Sequence, residues 1–161
     1  MTNLKRLGPI VVISALITLL AGVALATPST MNFVGKPLVR AGFGQLHAQH
    51  DGVSVDRTQG KADVAVVKVT IGPGGSSGWH HHPGVVLVSV KSGAVTRYDH
   101  QCHKSVYKAG EGWVESSDHS HVARNNGKGD AVLFVTFVVP SSTPAEGLTV
   151  DDPRPKGCNV K

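Results

Sequence analysis

Charged and aromatic residues are both scarce in this 161-residue chain, at 17% and 5% of the total. So little charge excludes a coiled coil and a disordered acidic segment. No Lys/Arg cluster with interleaved aromatics occurs and the net charge is only +5, so nucleic acid is not an expected partner. Cysteine is limited to Cys102 and Cys158. Beyond an apolar stretch at the N-terminus, no segment has a convincing amphipathic helical pattern. Nineteen glycines and nine prolines imply many turns, and nine histidines are the unusual count. The length suits one domain with a short extra segment.

Lys5 and Arg6 precede an uncharged apolar stretch, Ile10 to Leu25, which ends in Ala24-Leu25-Ala26. A basic start, an apolar run and a small-x-small site make a secretory signal, with cleavage expected after Ala26. The alternative is an uncleaved anchor, but the stretch is short for a hydrocarbon core of ~30 Å. No cysteine near the junction offers a lipid attachment site, and no Arg-Arg pair supports the twin-arginine route. The expected division is a signal peptide at 1–26, an N-terminal extension at 27–61, a barrel at 62–140 and a C-terminal tail at 141–161. The protein is then exported, to the periplasm, cell envelope or medium, with no stable membrane insertion after cleavage.

Export implies an oxidising compartment, where an even pair of cysteines reads as a disulfide. A Cys102–Cys158 bridge would pin the tail to the body and contribute roughly 4 kcal/mol in the chain-entropy view. The alternative joins Cys102 to His100 and His103 in a metal site.

Strand signals follow at intervals of 8 to 12 residues. Residues 27–61 hold many breakers and are expected to form short strands, at Pro37–Arg40 and Gly52–Val55, but no long element. Asp63–Ile71, Val85–Val90, Ala94–Asp99, Ser105–Lys108, Gly112–Glu115, Ser120–Arg124 and Asp130–Val139 read as strands, the last being the core strand. Asn125-Asn126-Gly127 is a hairpin turn signal. The fold class is all-β, an antiparallel sandwich or barrel.

The informative segment is Gly78-Trp79-His80-His81-His82-Pro83-Gly84. On an extended chain His80 and His82 point to one face and His81 to the other. Antiparallel pairing with the segment around His121 would bring a third imidazole to the same place. Three converging imidazoles with open positions suit Fe, Mn, Ni, Cu or Zn.

These residues resemble the cupin superfamily. Gly74, His80, His82 and Gly93 stand at the spacing of its first motif, and Gly110, His121 and Asn125 at that of its second. The resemblance spans Ala62 to Pro140 and implies a double-stranded β-helix, or jelly-roll, barrel. The Cys pair and the Pro-rich tail look like those of small exported bacterial cupins. Two departures stand out. Val86 occupies the position of the first motif's Glu, and Ser116 and Asp118 replace the Pro and Gly of the second. Loss of the carboxylate at residue 86 leaves a more positive site, which favours anionic ligands. His119 is a possible fourth ligand or proton donor.

The remaining candidates have plainer readings. His81 is expected in solvent or at an interface, and His47, His50, His100 and His103 on the surface. Trp79 packs at the barrel mouth or stacks on substrate, and Asn125 stabilises its turn. Arg97, Tyr98 and Arg124 have no assignable direction. Glu115 and His119 are weak general-base candidates, so the catalytic residue is unknown. Three functions remain open: a metal-dependent, dioxygenase-like enzyme acting on a small carboxylate or enolisable molecule, a non-catalytic binding module for metal or a small molecule, and a metal-free scaffold. A homodimer would cover an apolar outer sheet face.

Overall fold

The protein is described by a computed structural model covering residues 25–56, 60–116 and 119–160. The apolar stretch expected to be a signal peptide lies, up to residue 24, outside the described residues, as does Asp118. The strands are β1 (Phe33–Phe43), β2 (His47–His50), β3 (Val53–Asp56), β4 (Ala62–Ile71), β5 (His80–His81), β6 (Val85–Ser92), β7 (Ala94–Tyr98), β8 (Lys104–Lys108), β9 (Gly112–Ser116), β10 (Val122–Arg124), β11 (Ala131–Pro140) and β12 (Val150–Asp151). Among the described residues the helical content is one 3-10 turn, Ala145–Leu148. The all-β expectation holds.

The main sheet has the order β1-β4-β11-β6-β9, and a second sheet has the order β10-β7-β8. Every pairing in both is antiparallel. β11 lies at the centre of the main sheet, which explains its run rich in Val and Phe. Its burial alternates strictly, with Leu133, Val135, Phe137 and Val139 turned inward. Val86, Val88 and Val90 of β6 and Ala65 and Val69 of β4 meet them, and Val95 and Ala123 close the core from the second sheet. Full burial of each large aliphatic side chain contributes about 1.5–3 kcal/mol.

The N-terminal region differs from expectation. A single 11-residue strand, β1, replaces the short strand at Pro37–Arg40. Its breakers are tolerated because it is an edge strand: Pro37 sits where the register with β4 shifts, and a missing N–H at an edge breaks no ladder. His47 and His50 lie on strand β2 rather than in a loop, with exposed side chains, paired to β3 through Asp51-Gly52. Both turn residues have positive φ, 47° and 79°, the conformation of a tight hairpin turn that favours an Asp-Gly pair.

The C-terminal tail is tied to the body at several points. Cys102 and Cys158 form a disulfide, so Cys102 is no metal ligand. β12 pairs with β5, and Asp152 N–H donates to the Trp79 carbonyl at 2.8 Å. Trp79 is buried with Val122 and Cys158 in a small second core against this tail. That placement excludes Trp79 from stacking on a ligand.

Candidate metal centre

The site starts from a local backbone requirement. Gly78 has φ 71°, and a β-carbon there would collide with the backbone of Thr27 and Pro28. Glycine therefore lets the chain turn tightly into β5, and the Gly78 carbonyl meets His80 Nδ1 at 2.9 Å. His80 and His121 then exchange backbone hydrogen bonds, with His80 N–H to the His121 carbonyl at 3.0 Å and the reverse at 2.9 Å. Such a bonded antiparallel pair holds two residues face to face. Strand alternation brings His82 to the same side as His80.

Three rings converge as a result. Centroid separations are 4.8 Å for His80–His82, 4.4 Å for His80–His121 and 5.1 Å for His82–His121. One ring nitrogen from each lies within 4.8 Å of the other two. All three residues are buried, with 7%, 5% and 2% of their surface exposed for His80, His82 and His121.

The hydrogen-bond network decides the tautomers. Each Nδ1 faces a backbone carbonyl: Gly78 for His80, Leu148 for His82 at 2.8 Å, and His119 for His121 at 3.1 Å. A carbonyl can only accept, so each Nδ1 carries the hydrogen, and each neutral ring presents a bare Nε2 lone pair. Metal-ligating histidines have this outer support. His121 Nε2 is buried and makes no hydrogen bond, a costly arrangement that a cation resolves. Burial first, then repulsion from His121 and His82, pushes the pKa of His80 down to about 3. The residues present thus fit a divalent transition ion.

A fourth group stands in the site. Glu115 Oε2 lies 3.2 Å from His82 Nε2, and Oε1 lies 3.1 Å from His121 Nε2. Oε1 also accepts from Trp113 Nε1 at 2.7 Å and from Arg97 Nε at 3.2 Å. Burial would raise the Glu115 pKa, but the His121 and His82 rings close to its oxygens and the Trp113 indole outweigh it and hold the carboxyl well below its usual range. Beside the site lies a cavity of about 170 Å³, lined mainly by apolar residues such as Val88, Leu133, Val135 and Phe137, with Ser77, His80, His82, Glu115 and Thr149 among its polar residues.

His119 is not brought to the three rings. It is exposed and stacks on His100 at a centroid distance of 4.4 Å, so it supplies no fourth ligand here. Its backbone carbonyl, not its ring, serves the site. His81 stays partly exposed, and its Nδ1 meets Asp152 Oδ2 at 2.9 Å. Asn125 stabilises its turn as expected, donating to the carbonyls of Ile71 and Gly129 and accepting from Gly127 N–H. Arg97 turns toward the site, whereas Tyr98 packs against the Trp79 cluster. His103 is exposed and pairs with Asp99 at 3.3 Å.

Comparisons with known proteins agree with this architecture. No curated protein matches the chain. A protein with a double-stranded β-helix domain from Klebsiella pneumoniae superposes with a TM-score of 0.51 at 18% identity, covering 77% of this chain and 87% of that one. A protein of unknown function from Streptococcus pyogenes gives a TM-score of 0.48 at 14% identity, over 70% and 80% of the two chains. An oxalate oxidase in complex with glycolate gives a TM-score of 0.43 at 27% identity, over 46% of this chain and 41% of its own. Residues 67–138 match the family described as "Cupin domain". With His80, His82 and His121 converging inside its β-structure, this chain carries a cupin domain.

Proposed function

We propose that the protein binds a divalent transition-metal ion through His80, His82 and His121, and that the bound ion serves a small carboxylate or enolisable molecule in the adjoining cavity. The observation that carries this is the shared tautomer: three Nδ1 atoms are committed to backbone carbonyls, leaving three Nε2 lone pairs at one point. A cavity of about 170 Å³ suits a ligand of few atoms, since drug-sized ligands need ~300 Å³ or more. An ion held there supplies Lewis acidity and, if it is Fe or another redox-active metal, access to dioxygen chemistry. The mainly apolar lining offers water few hydrogen-bond partners, and the Arg97–Glu115 pair lies beside the reacting space.

Metal analysis of the untagged protein tests the reading. Near-stoichiometric metal is expected in the wild type and none in the His80→Ala/His82→Ala variant. Equal metal content in the two would remove the site. Oxygen consumption with small carboxylates then separates an oxygenase from a binding module, which would hold metal without turnover.

Export belongs to the same proposal. The Lys5/Arg6 start and apolar run support a signal peptide, and the Cys102–Cys158 bridge suits an oxidising compartment. A mature N-terminus at Thr27, read by mass spectrometry, is the expected result. A homodimer through the outer sheet face is supported by exposed Val85, Leu87 and Val114, and sedimentation would read it directly.

A further inference from the structure

We infer that Glu115 is a fourth, carboxylate ligand of this centre, delivered from the strand next to the one where the motif would place it. The inference rests on the three-histidine reading above and adds to it.

The strand register carries the idea. Val86 of β6 and Glu115 of β9 are direct cross-strand partners. Side chains directly opposite in an antiparallel pair leave the same face, with β-carbons about 4.5–5.5 Å apart. Both residues are buried. A carboxylate on residue 115 therefore enters the barrel beside the place a carboxylate on residue 86 would enter. The valine at 86 is thus an exchange of wall positions rather than the loss of a ligand.

The distances are those of ligands around one ion. Oxygen and nitrogen ligands sit ~2.0–2.2 Å from such a metal, so donors at neighbouring vertices lie about 3.0–3.5 Å apart. Glu115 Oε2 to His82 Nε2 is 3.2 Å, and Oε1 to His121 Nε2 is 3.1 Å. Both nitrogens are lone-pair groups in the tautomers that their Nδ1 bonds select. Lone pairs approach a carboxylate this closely only across a shared proton or cation.

The two oxygens have different surroundings. Oε1 receives the Trp113 indole and the Arg97 guanidinium, and the indole is itself stacked on Tyr107 at 4.4 Å. Trp113 shares the inward face of β9 with Glu115, two residues away. These groups are positioning residues: they fix the carboxylate plane. Oε2 has His82 Nε2 as its close partner and is the oxygen presented to the ion. The centre is then three imidazoles and one carboxylate, and it carries one positive charge less than a bare three-histidine site.

The test strips the protein with chelator, confirms folding by circular dichroism, and titrates Co(II) by calorimetry and visible absorption. Glu115→Gln is expected to weaken Co(II) at least tenfold, the scale seen even for outer ligand supports, and to shift the Co(II) bands. The transposed pair Val86→Glu/Glu115→Val is expected to recover most of the affinity that Glu115→Val alone loses. Wild-type affinity and unchanged bands in Glu115→Gln would overturn the inference and leave three histidines standing. No Co(II) uptake by wild type would overturn the three-histidine reading, and this inference with it. Should the variants unfold, anomalous diffraction from a Co(II)-loaded wild-type crystal decides. A Glu115 oxygen ~2.0–2.2 Å from the ion supports the assignment, and one beyond hydrogen-bonding distance overturns it.

Discussion

Two segments flank the barrel, and they do different work. The N-terminal one adds β1 at the edge of the main sheet and then the β2–β3 hairpin, whose Val53 and Val55 remain exposed. The C-terminal one is held by a disulfide, by β12–β5 pairing and by the His81–Asp152 contact. It also reaches the site itself, because the Leu148 carbonyl accepts from His82 Nδ1. A segment with little burial contributes little beyond its ladder hydrogen bonds. A segment that supplies a partner to a ligand side chain becomes part of the centre, although it brings no ligand of its own.

Opening the tail should have the largest effect. Cys102→Ser/Cys158→Ser is expected to cost about 4 kcal/mol in urea unfolding, from loop-closure entropy alone. Metal affinity should also fall, by about 10- to 100-fold, because the support of His82 loosens. Unchanged affinity would reduce the tail to a structural clamp and break the contrast.

Acid comes next, acting on the site that the tail supports. His80 has a pKa of about 3 in the fold against 6.5 as a free side chain. Between those values the unfolded chain holds a proton that the native site refuses. Stability of the metal-free protein is therefore fully present above pH 6.5 and lost as pH falls toward 3, with a slope of about 1.4 kcal/mol per pH unit. The depressed carboxyl of Glu115 has the same sign, at pH below the ordinary carboxylate range of 4.5. Urea midpoints at pH 7, 6 and 5 that did not decline would contradict the burial of a neutral His80.

A smaller effect sharpens the comparison inside the tail. Asp152→Ala removes the side-chain partner of His81 but keeps the backbone bonds of residue 152. About 1 kcal/mol is expected in thermal or urea unfolding. Metal affinity should stay within twofold, since His81 points away from the three rings.

The smallest effect belongs to the N-terminal hairpin. Val53→Thr and Val55→Thr should each change stability by less than about 0.5 kcal/mol and leave metal affinity untouched. A loss of several kcal/mol in unfolding would show that the hairpin is buried against a partner, and the two flanks would no longer differ.

Much of the site was legible because it rests on short-range periodicity. His80 and His82 share a face by strand alternation, and the strong β11 run marked the central strand. Legibility failed where the answer lay in a neighbouring strand. Glu115 carried no motif signal. Its closeness to the histidines follows from the register Val86↔Glu115, which spans two intervening strands and three connections. His119 failed for the opposite reason. Sequence proximity to His121 suggested a shared face, but the chain reaches its strand only at residue 122, and the ring turns to His100. Half of the β2–β3 hairpin was expected, at Gly52–Val55, but its partner strand His47–His50 was not, because that stretch is too polar to read as strand.

The amino-acid sequence by itself determined the all-β class, the spacing of three histidines and the pairing of the two cysteines, because alternation, turn residues and a single even pair leave few other solutions. Tertiary structure alone decided which carboxylate faces those histidines, which carbonyls select their tautomers and that the tail contributes one of them. Those facts depend on strand register and chain closure, which join residues dozens of positions apart and leave no local trace in the sequence.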